Sequence, residues 1–582
     1  MKAASLFGVF VVAKVLILAE CDVPLSAGTP LAFVWQDALI ALLFGAVDCA
    51  IRPRPALGWG LYGLAALYTA VNVPVACLLA SPLTWPMLRA ARGTLADSIV
   101  LYITAANLLR MAVVIGTAIA LPFMLRRLLI RIPPRWRLAG VAGAAICLPL
   151  GPLATSHVSM QGLHRNALTV LVTTALPRIT ALDVCGDWRT SPFGARRSED
   201  LSRLRGRAAG RNVVVIHLES TAARYLAAYG AREDPMPNLT ALSRHAIRFE
   251  NAYAVYPETI KSFFTVHCSL YPALDTTAEM YEHAPAPALA TLLGERGYRT
   301  GLFHSGRFMY LGMDSMLKNR GFATLEDAGD IGGEHESSFG IDEPSTVRRM
   351  LRWIDDQPSG QPFFLTYLPI AGHHPYETPD PGPFPENDLL NRYRNALHYS
   401  DAALGQFLEG LRQRRLDHQT LFLIVGDHGE AFGEHPGNHG HTLCIWEENL
   451  RVPYLLVAPG LIEEALTVRR LASLIDTAPT VLDLLDLPIP PAYQGHSLLD
   501  AQTGMALFCT DYSIGLLGLR DGDWKMVHEL ETGRSRLFDL RTDPEEQHDL
   551  STLHAERTEV YRDHLLRWAA AQKYLITKSC RG

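Results

Sequence analysis

Apolar and polar residues are distributed unevenly along the 582 positions of this chain. Up to about Thr155, long apolar runs are broken only by short polar turns. Five of them, at roughly 6–18, 31–51, 57–80, 96–124 and 138–155, approach the ~20 apolar residues that a helix needs to cross a bilayer. The first run is short and contains Lys14, so a signal peptide competes with a span there, and Leu18-Ala19-Glu20-Cys21 has the outline of a lipoprotein cleavage box. Glu20 stands where a peptidase needs a small residue, and more apolar runs follow at once, which favours five spans.

From Ser156 to about Leu201 the pattern is irregular and reads as a linker with short helices along the membrane surface. Beyond it the period changes. The stretches 212–216, 362–368 and 420–425 are short continuous apolar runs rich in β-branched and aromatic residues, the mark of strands buried on both faces. Helical patterns at 345–355 and 391–412 separate them. The chain therefore divides into an N-terminal α-helical membrane bundle over 1–155, a linker over 156–205, and an α/β domain with a largely parallel central sheet over 206–582.

Charge sharpens the division. Lys and Arg number 12 against 5 Asp and Glu up to Thr155, and 41 against 54 after it, which excludes a nucleic-acid binder whose folded part would need a basic face. The basic residues gather in the loop holding Arg126, Arg127, Arg131, Arg135 and Arg137 and in the turn Arg52-Pro53-Arg54, which predicts that both are cytoplasmic. Arg89 and Arg92 in the third loop weakly oppose this. An odd number of crossings from an inside N-terminus then carries the α/β domain out of the cytoplasm, on a multi-pass protein of the cell (inner) membrane. Arg110, inside the fourth run, reads equally as a polar site or as a residue facing the bundle. Five of the nine cysteines (Cys185, Cys268, Cys444, Cys509, Cys580) fall in the outer part, where disulfides form, and no C-x-x-C metal spacing occurs.

In parallel sheets ligands collect at the carboxyl ends of the strands. Three apolar runs here end in His217-Leu218-Glu219-Ser220, in Ala371-Gly372-His373-His374-Pro375-Tyr376 and in Gly426-Asp427-His428-Gly429-Glu430. Carboxylates with imidazoles are the ligand set of a divalent metal ion, zinc or manganese. His217 alternates with Glu219 but reads better as a packed histidine beneath the site, and His435 as a loop cap.

These motifs resemble the alkaline-phosphatase-like superfamily, in the branch holding sulfatases, lipoteichoic acid synthases and phosphoethanolamine transferases. The segment 212–220 looks like the first metal-ligand strand of the lipoteichoic-acid-synthase branch, and Gly426-Asp427-His428-Gly429-Glu430 like the second. His439-Gly440, Glu448-Asn449-Leu450-Arg451-Val452-Pro453 and the tail 537–546 follow in the family's order. Sulfatases carry C-x-P-S-R, often with a Tyr-Pro pair beginning twelve residues after the Cys. Counting back from Tyr271-Pro272 lands on Thr259, in Thr259-Ile260-Lys261-Ser262-Phe263. Threonine cannot become formylglycine, so the sulfatase route is disfavoured and Thr259 is the nucleophile expected of a phosphotransferase. Cys268 reads as a structural thiol.

The resemblance implies metal ligands Glu219, Thr259, Asp427 and His428, and His373 and His439 as acid–base groups, with His374 and His441 able to exchange places with them. It also implies His304 as a phosphate contact, while Lys261 reads as either a phosphate contact or a solvated side chain. The expected function is transfer of phosphoethanolamine or phosphoglycerol from a phospholipid to a cell-envelope glycan or lipid through a phospho-threonine. The alternatives are a sulfatase-like phosphodiesterase or sulfuric ester hydrolase, and a non-catalytic membrane protein that binds envelope glycan or lipid.

Overall fold

The structure, a computed structural model, describes all residues except 22–25, 92–102, 132, 157, 159–161, 181–185, 195, 198, 338, 357, 359 and 580–582. Among the described residues five helices are long and apolar enough to cross a membrane: α1 (Lys2–Glu20), α2 (Thr29–Ala50), α3 (Pro55–Leu79), α4 (Ala105–Arg131) and α5 (Pro134–Ser156). Part of the fourth expected span, 96–124, falls outside the described residues, and α4 itself begins at Ala105. Lys14, awkward in an apolar run, is paired inside the bundle with Asp37 Oδ2 at 2.9 Å and donates to the His164 carbonyl at 2.8 Å. Arg110 lies near the start of α4 and pairs with Glu20 at the end of α1, 2.8 Å away.

The helices alternate in direction. Lys2 meets Asp48 at one end of the bundle, and Trp35 Nε1 donates to Thr155 Oγ1 at the other, 3.0 Å apart. The turn 52–54 therefore shares an end with Lys2, while the loop after α3 shares an end with the α/β domain. There Thr84 Oγ1 donates to the Tyr512 carbonyl at 2.8 Å, and Arg165 Nη2 donates to Ser513 Oγ at 2.7 Å.

The α/β domain is built on a central sheet of β1 (Asn212–Leu218), β2 (Ile247–Tyr253), β3 (Arg299–His304), β4 (Thr324–Glu326), β5 (Phe363–Leu368), β6 (Thr420–Gly426), β7 (Arg451–Val452), β8 (Tyr454–Val457) and β9 (Leu466–Ser473). Its order is β7-β2-β8-β6-β1-β5-β3-β4, with β9 beside β2. Strands β4, β3, β5, β1 and β6 are mutually parallel, and β8 runs antiparallel between β6 and β2. Every residue of β1, β5 and β6 is buried, as continuous apolar runs in a helix-covered parallel sheet must be.

A second, antiparallel sheet of β10 (Ala506–Thr510), β11 (Leu516–Asp521), β12 (Trp524–Glu529) and β13 (Ser535–Asp539) packs with the helix Ala555–Ser579. Among the described cysteines all are free, with Cys268, Cys444 and Cys509 buried; Cys185 and Cys580 lie outside the described residues.

Candidate active site

Strand register builds the centre of the site. In the β1–β6 pairing Leu218 stands opposite Gly426, so Glu219 and Asp427 leave the sheet side by side. Asp427 Oδ1 accepts the backbone N–H groups of Ser220 (2.9 Å) and His428 (2.8 Å), while its Oδ2 is buried without a hydrogen-bond partner. His428 commits Nδ1–H to the Gly429 carbonyl at 3.0 Å, which turns the lone pair of Nε2 inward. That nitrogen lies 3.5 Å from Asp427 Oδ2 and 3.7 Å from Glu219 Oε1.

Burial, followed by the charge of Asp427, pushes the Glu219 carboxyl well above its ordinary value, and burial lowers His428. Two carboxylates and an imidazole lone pair converge on one point with too few donors, the pattern a divalent cation satisfies. Gly429 permits the geometry: a Cβ there would stand 2.0 Å from the Glu448 carbonyl oxygen.

Thr259 is the first residue of α6 (Thr259–Cys268), a helix whose Phe263, Phe264 and Val266 are sunk in the core. Its hydroxyl donates to Glu219 Oε2 at 3.0 Å and lies 3.3 Å from His428 Nε2. The helix N-terminus adds unpaired backbone N–H groups that favour an anion beside Thr259. Lys261 is buried and engaged. Its Nζ is 3.4 Å from Asp511 Oδ1 and 3.8 Å from the centroid of the Tyr256 ring, and Tyr256 donates its hydroxyl to the same Asp511 oxygen at 2.5 Å. A solvated Lys261 is therefore not what the fold makes.

The histidines divide. His441 Nδ1 is 2.6 Å from Glu430 Oε2, and its ring stacks on His428 with centroids 4.2 Å apart. Burial opposes its charge, yet Glu430 raises His441 to about 9. Tyr376 donates to the other Glu430 oxygen at 2.7 Å. His373 stands edge-on to His441 at 6.1 Å, donates Nδ1–H to the His374 carbonyl at 2.7 Å, and is lowered by burial to about 4.

His439, by contrast, is exposed on the hairpin of Ala431–Phe432 with His439–Gly440, where its ring lies over Gly433. Of the two, His441 is the one that stands against His428 and Glu430. His374 packs against Tyr376 beside the cluster. His304, at the end of β3, donates Nδ1–H to the Leu368 carbonyl at 2.9 Å and is lowered by burial. His217 turns under the site, its Nε2 3.2 Å from that of His267 on α6. Sequence reasoning passed over Glu430, Tyr376 and Asp511. Glu430 and Tyr376 each left a signal, as the last residues of the Gly426–Glu430 and Ala371–Tyr376 stretches, and Asp511 left none.

Residues 211–487 match the sulfatase family. A lipoteichoic acid synthase-like protein of Bacillus subtilis is 25% identical over 317 residues, covering 50% of each chain. Arylsulfatase K of Rattus norvegicus is 28% identical over 244 residues, covering 37% of this chain and 42% of its own. The chain spans about half the length of these curated relatives. An alkaline-phosphatase-superfamily protein from Vibrio parahaemolyticus superposes with a TM-score of 0.53 at 19% identity, over 66% of this chain and 90% of that one, a likeness of fold.

Proposed function

We propose that this chain, whose residues 211–487 match the sulfatase family and which has a lipoteichoic acid synthase-like protein among its relatives, is a membrane-anchored phosphotransferase of the alkaline-phosphatase superfamily's lipoteichoic-acid-synthase branch. It moves phosphoethanolamine or phosphoglycerol from a phospholipid to a hydroxyl of an envelope glycan or lipid. One observation carries the reading: a threonine, Thr259, touches both Glu219 and His428, and the sequence resemblance puts it where sulfatases keep a cysteine. The arylsulfatase likeness supports a hydrolase only if that position could yield formylglycine, and threonine cannot.

In this reading the bundle is a membrane unit over 1–155, joined by 156–205 to a catalytic domain over 206–582 on the outer face of the inner membrane. Its loop after α3 bonds to Tyr512, beside the Asp511 that holds Lys261. The catalytic helix is thus linked to the membrane end where a lipid donor is concentrated.

Glu219, Asp427, His428 and Thr259 are the residues that would hold the metal. Bound there, zinc or manganese would neutralise the phosphoryl oxygens and stabilise the threonine alkoxide. Thr259 Oγ attacks phosphorus while Glu219 Oε2 accepts its proton. The bond to the lipid alcohol breaks, and that oxygen takes a proton from the His441 imidazolium held by Glu430. An acceptor hydroxyl then attacks the phospho-threonine, its proton passes to His441, and Thr259 leaves with the proton on Glu219. In this reading His373, edge-on to His441, and His304, buried at the end of β3, contact the phosphate, while Lys261 is held by Asp511.

The test is to incubate the membrane protein with headgroup-labelled phospholipid. Diacylglycerol with labelled Thr259 is expected, and free headgroup released with no transfer to any acceptor would overturn the transferase reading in favour of hydrolysis.

A further inference from the structure

A second convergence of ligand atoms lies away from Thr259, where the 431–440 hairpin, the turn Glu447–Leu450 and the C-terminal sheet meet. His435, Glu448 and Glu546 are all at least nine-tenths buried, with exposures of 7%, 0% and 4%. His435 Nδ1 is 2.8 Å from Glu448 Oε1, which also accepts Asn438 Nδ2 at 2.7 Å. The ring proton is therefore on Nδ1, and Nε2 carries a lone pair. His435 Nε2, Glu448 Oε2 and Glu546 Oε1 are buried and have no hydrogen-bond partner, and a ligand atom from each of the three residues lies within 4.8 Å of the others. Buried acceptors that face one another without a donor repel and forgo the solvation they had in water.

Nearby cations answer this only in part. Lys525 Nζ pairs with Glu546 Oε1 at 2.9 Å and is shared with Glu447 Oε1 at 3.0 Å. Arg224 is 3.9 Å from Glu448 Oε2 and donates instead to Glu545 at 3.2 Å. The Trp446 ring lies flat on His435, with centroids 4.1 Å apart and planes 3° from parallel, and so holds the imidazole in its plane.

We propose that His435 Nε2, Glu448 Oε2 and Glu546 Oε1 form a second divalent-cation site, distinct from the Thr259 centre. One imidazole nitrogen with two carboxylate oxygens suits zinc or manganese; an all-oxygen set would have suited calcium. The ion's work is structural. It ties the hairpin that leads to His441, the Glu448 segment whose carbonyl abuts Gly429, and the segment after β13 that carries Glu546 into one unit beside Gly426–Glu430. Nothing in it depends on the reaction at Thr259.

The experiment is metal analysis of the full chain in detergent after equilibration with zinc or manganese alone. A Glu219→Gln/Asp427→Asn protein, whose first site is disabled, should retain about one ion per chain and melt at higher temperature when the metal is added. Adding Glu448→Gln or, in a separate protein, Glu546→Gln should abolish both the bound ion and the metal-dependent shift. These near-isosteric changes keep the fold; where one does not, the Glu219→Gln/Asp427→Asn protein alone decides. If that protein binds no ion and its melting is indifferent to metal, the site does not exist.

Discussion

Thr259 Oγ1 and Glu219 Oε2 stand 3.0 Å apart, joining the first residue of a buried helix to the carboxylate that ends the central strand. The bond couples the proposed nucleophile to the ligand set, because Glu219 also faces His428 Nε2. Replacing Thr259 with Ala should lower turnover by ~10³-fold or more while leaving metal content unchanged, since attack is lost and three ligands remain. Thr259→Ser should keep part of the activity. Phospholipid turnover together with metal analysis checks both, and a fully active Thr259→Ala protein would rule out the nucleophile.

Asp427 Oδ2 has no partner of its own. Exhaustive chelation should abolish activity, and zinc or manganese should restore it; Asp427→Asn should be inactive and should not respond to added metal. Unchanged turnover after chelation contradicts the site.

His441 and His439 lie two positions apart but in different surroundings, one stacked on His428 and the other exposed. His441→Asn should cost ~10²- to 10⁴-fold in turnover, the range of general acid–base loss, whereas His439→Asn should change it little. Equal losses in the two variants would remove the distinction.

Lys261 and Asp511 form a buried pair between the catalytic helix and the loop bonded to the membrane bundle. Burial works against the Asp511 charge, but Lys261 and Arg178 hold the carboxyl at about 2. Its pKa is thus lower folded than unfolded, so its stabilisation is complete above the unfolded value near 4 and is lost as pH falls toward 2. Lys261→Met should raise the pH of acid unfolding and, by removing one of the two cations that hold this buried carboxylate, cost about 1–3 kcal/mol at neutral pH. Acid titration followed by circular dichroism reads both effects.

Much of this was legible in the sequence. Continuous apolar runs announce buried strands and spans because burial on all sides requires them, and Glu219, Asp427, His428 and Thr259 meet because each ends or begins such an element. The roles of the histidines were less legible. Choosing His441 over His439 depends on a glycine-bent hairpin and on Glu430 reaching across it, neither of which spacing reveals.

By itself the sequence determined the two-part architecture, the buried strands and the strand-end carboxylates, all products of local composition and period. Only the tertiary structure decided which partners those residues have. It gave Lys261 to Asp511, Lys14 to Asp37, and Arg110 to Glu20, and it brought His435, Glu448 and Glu546 to one point. Such pairings join segments far apart in the chain, and a buried charge or lone pair takes whatever partner the packing brings near it, which no local pattern encodes.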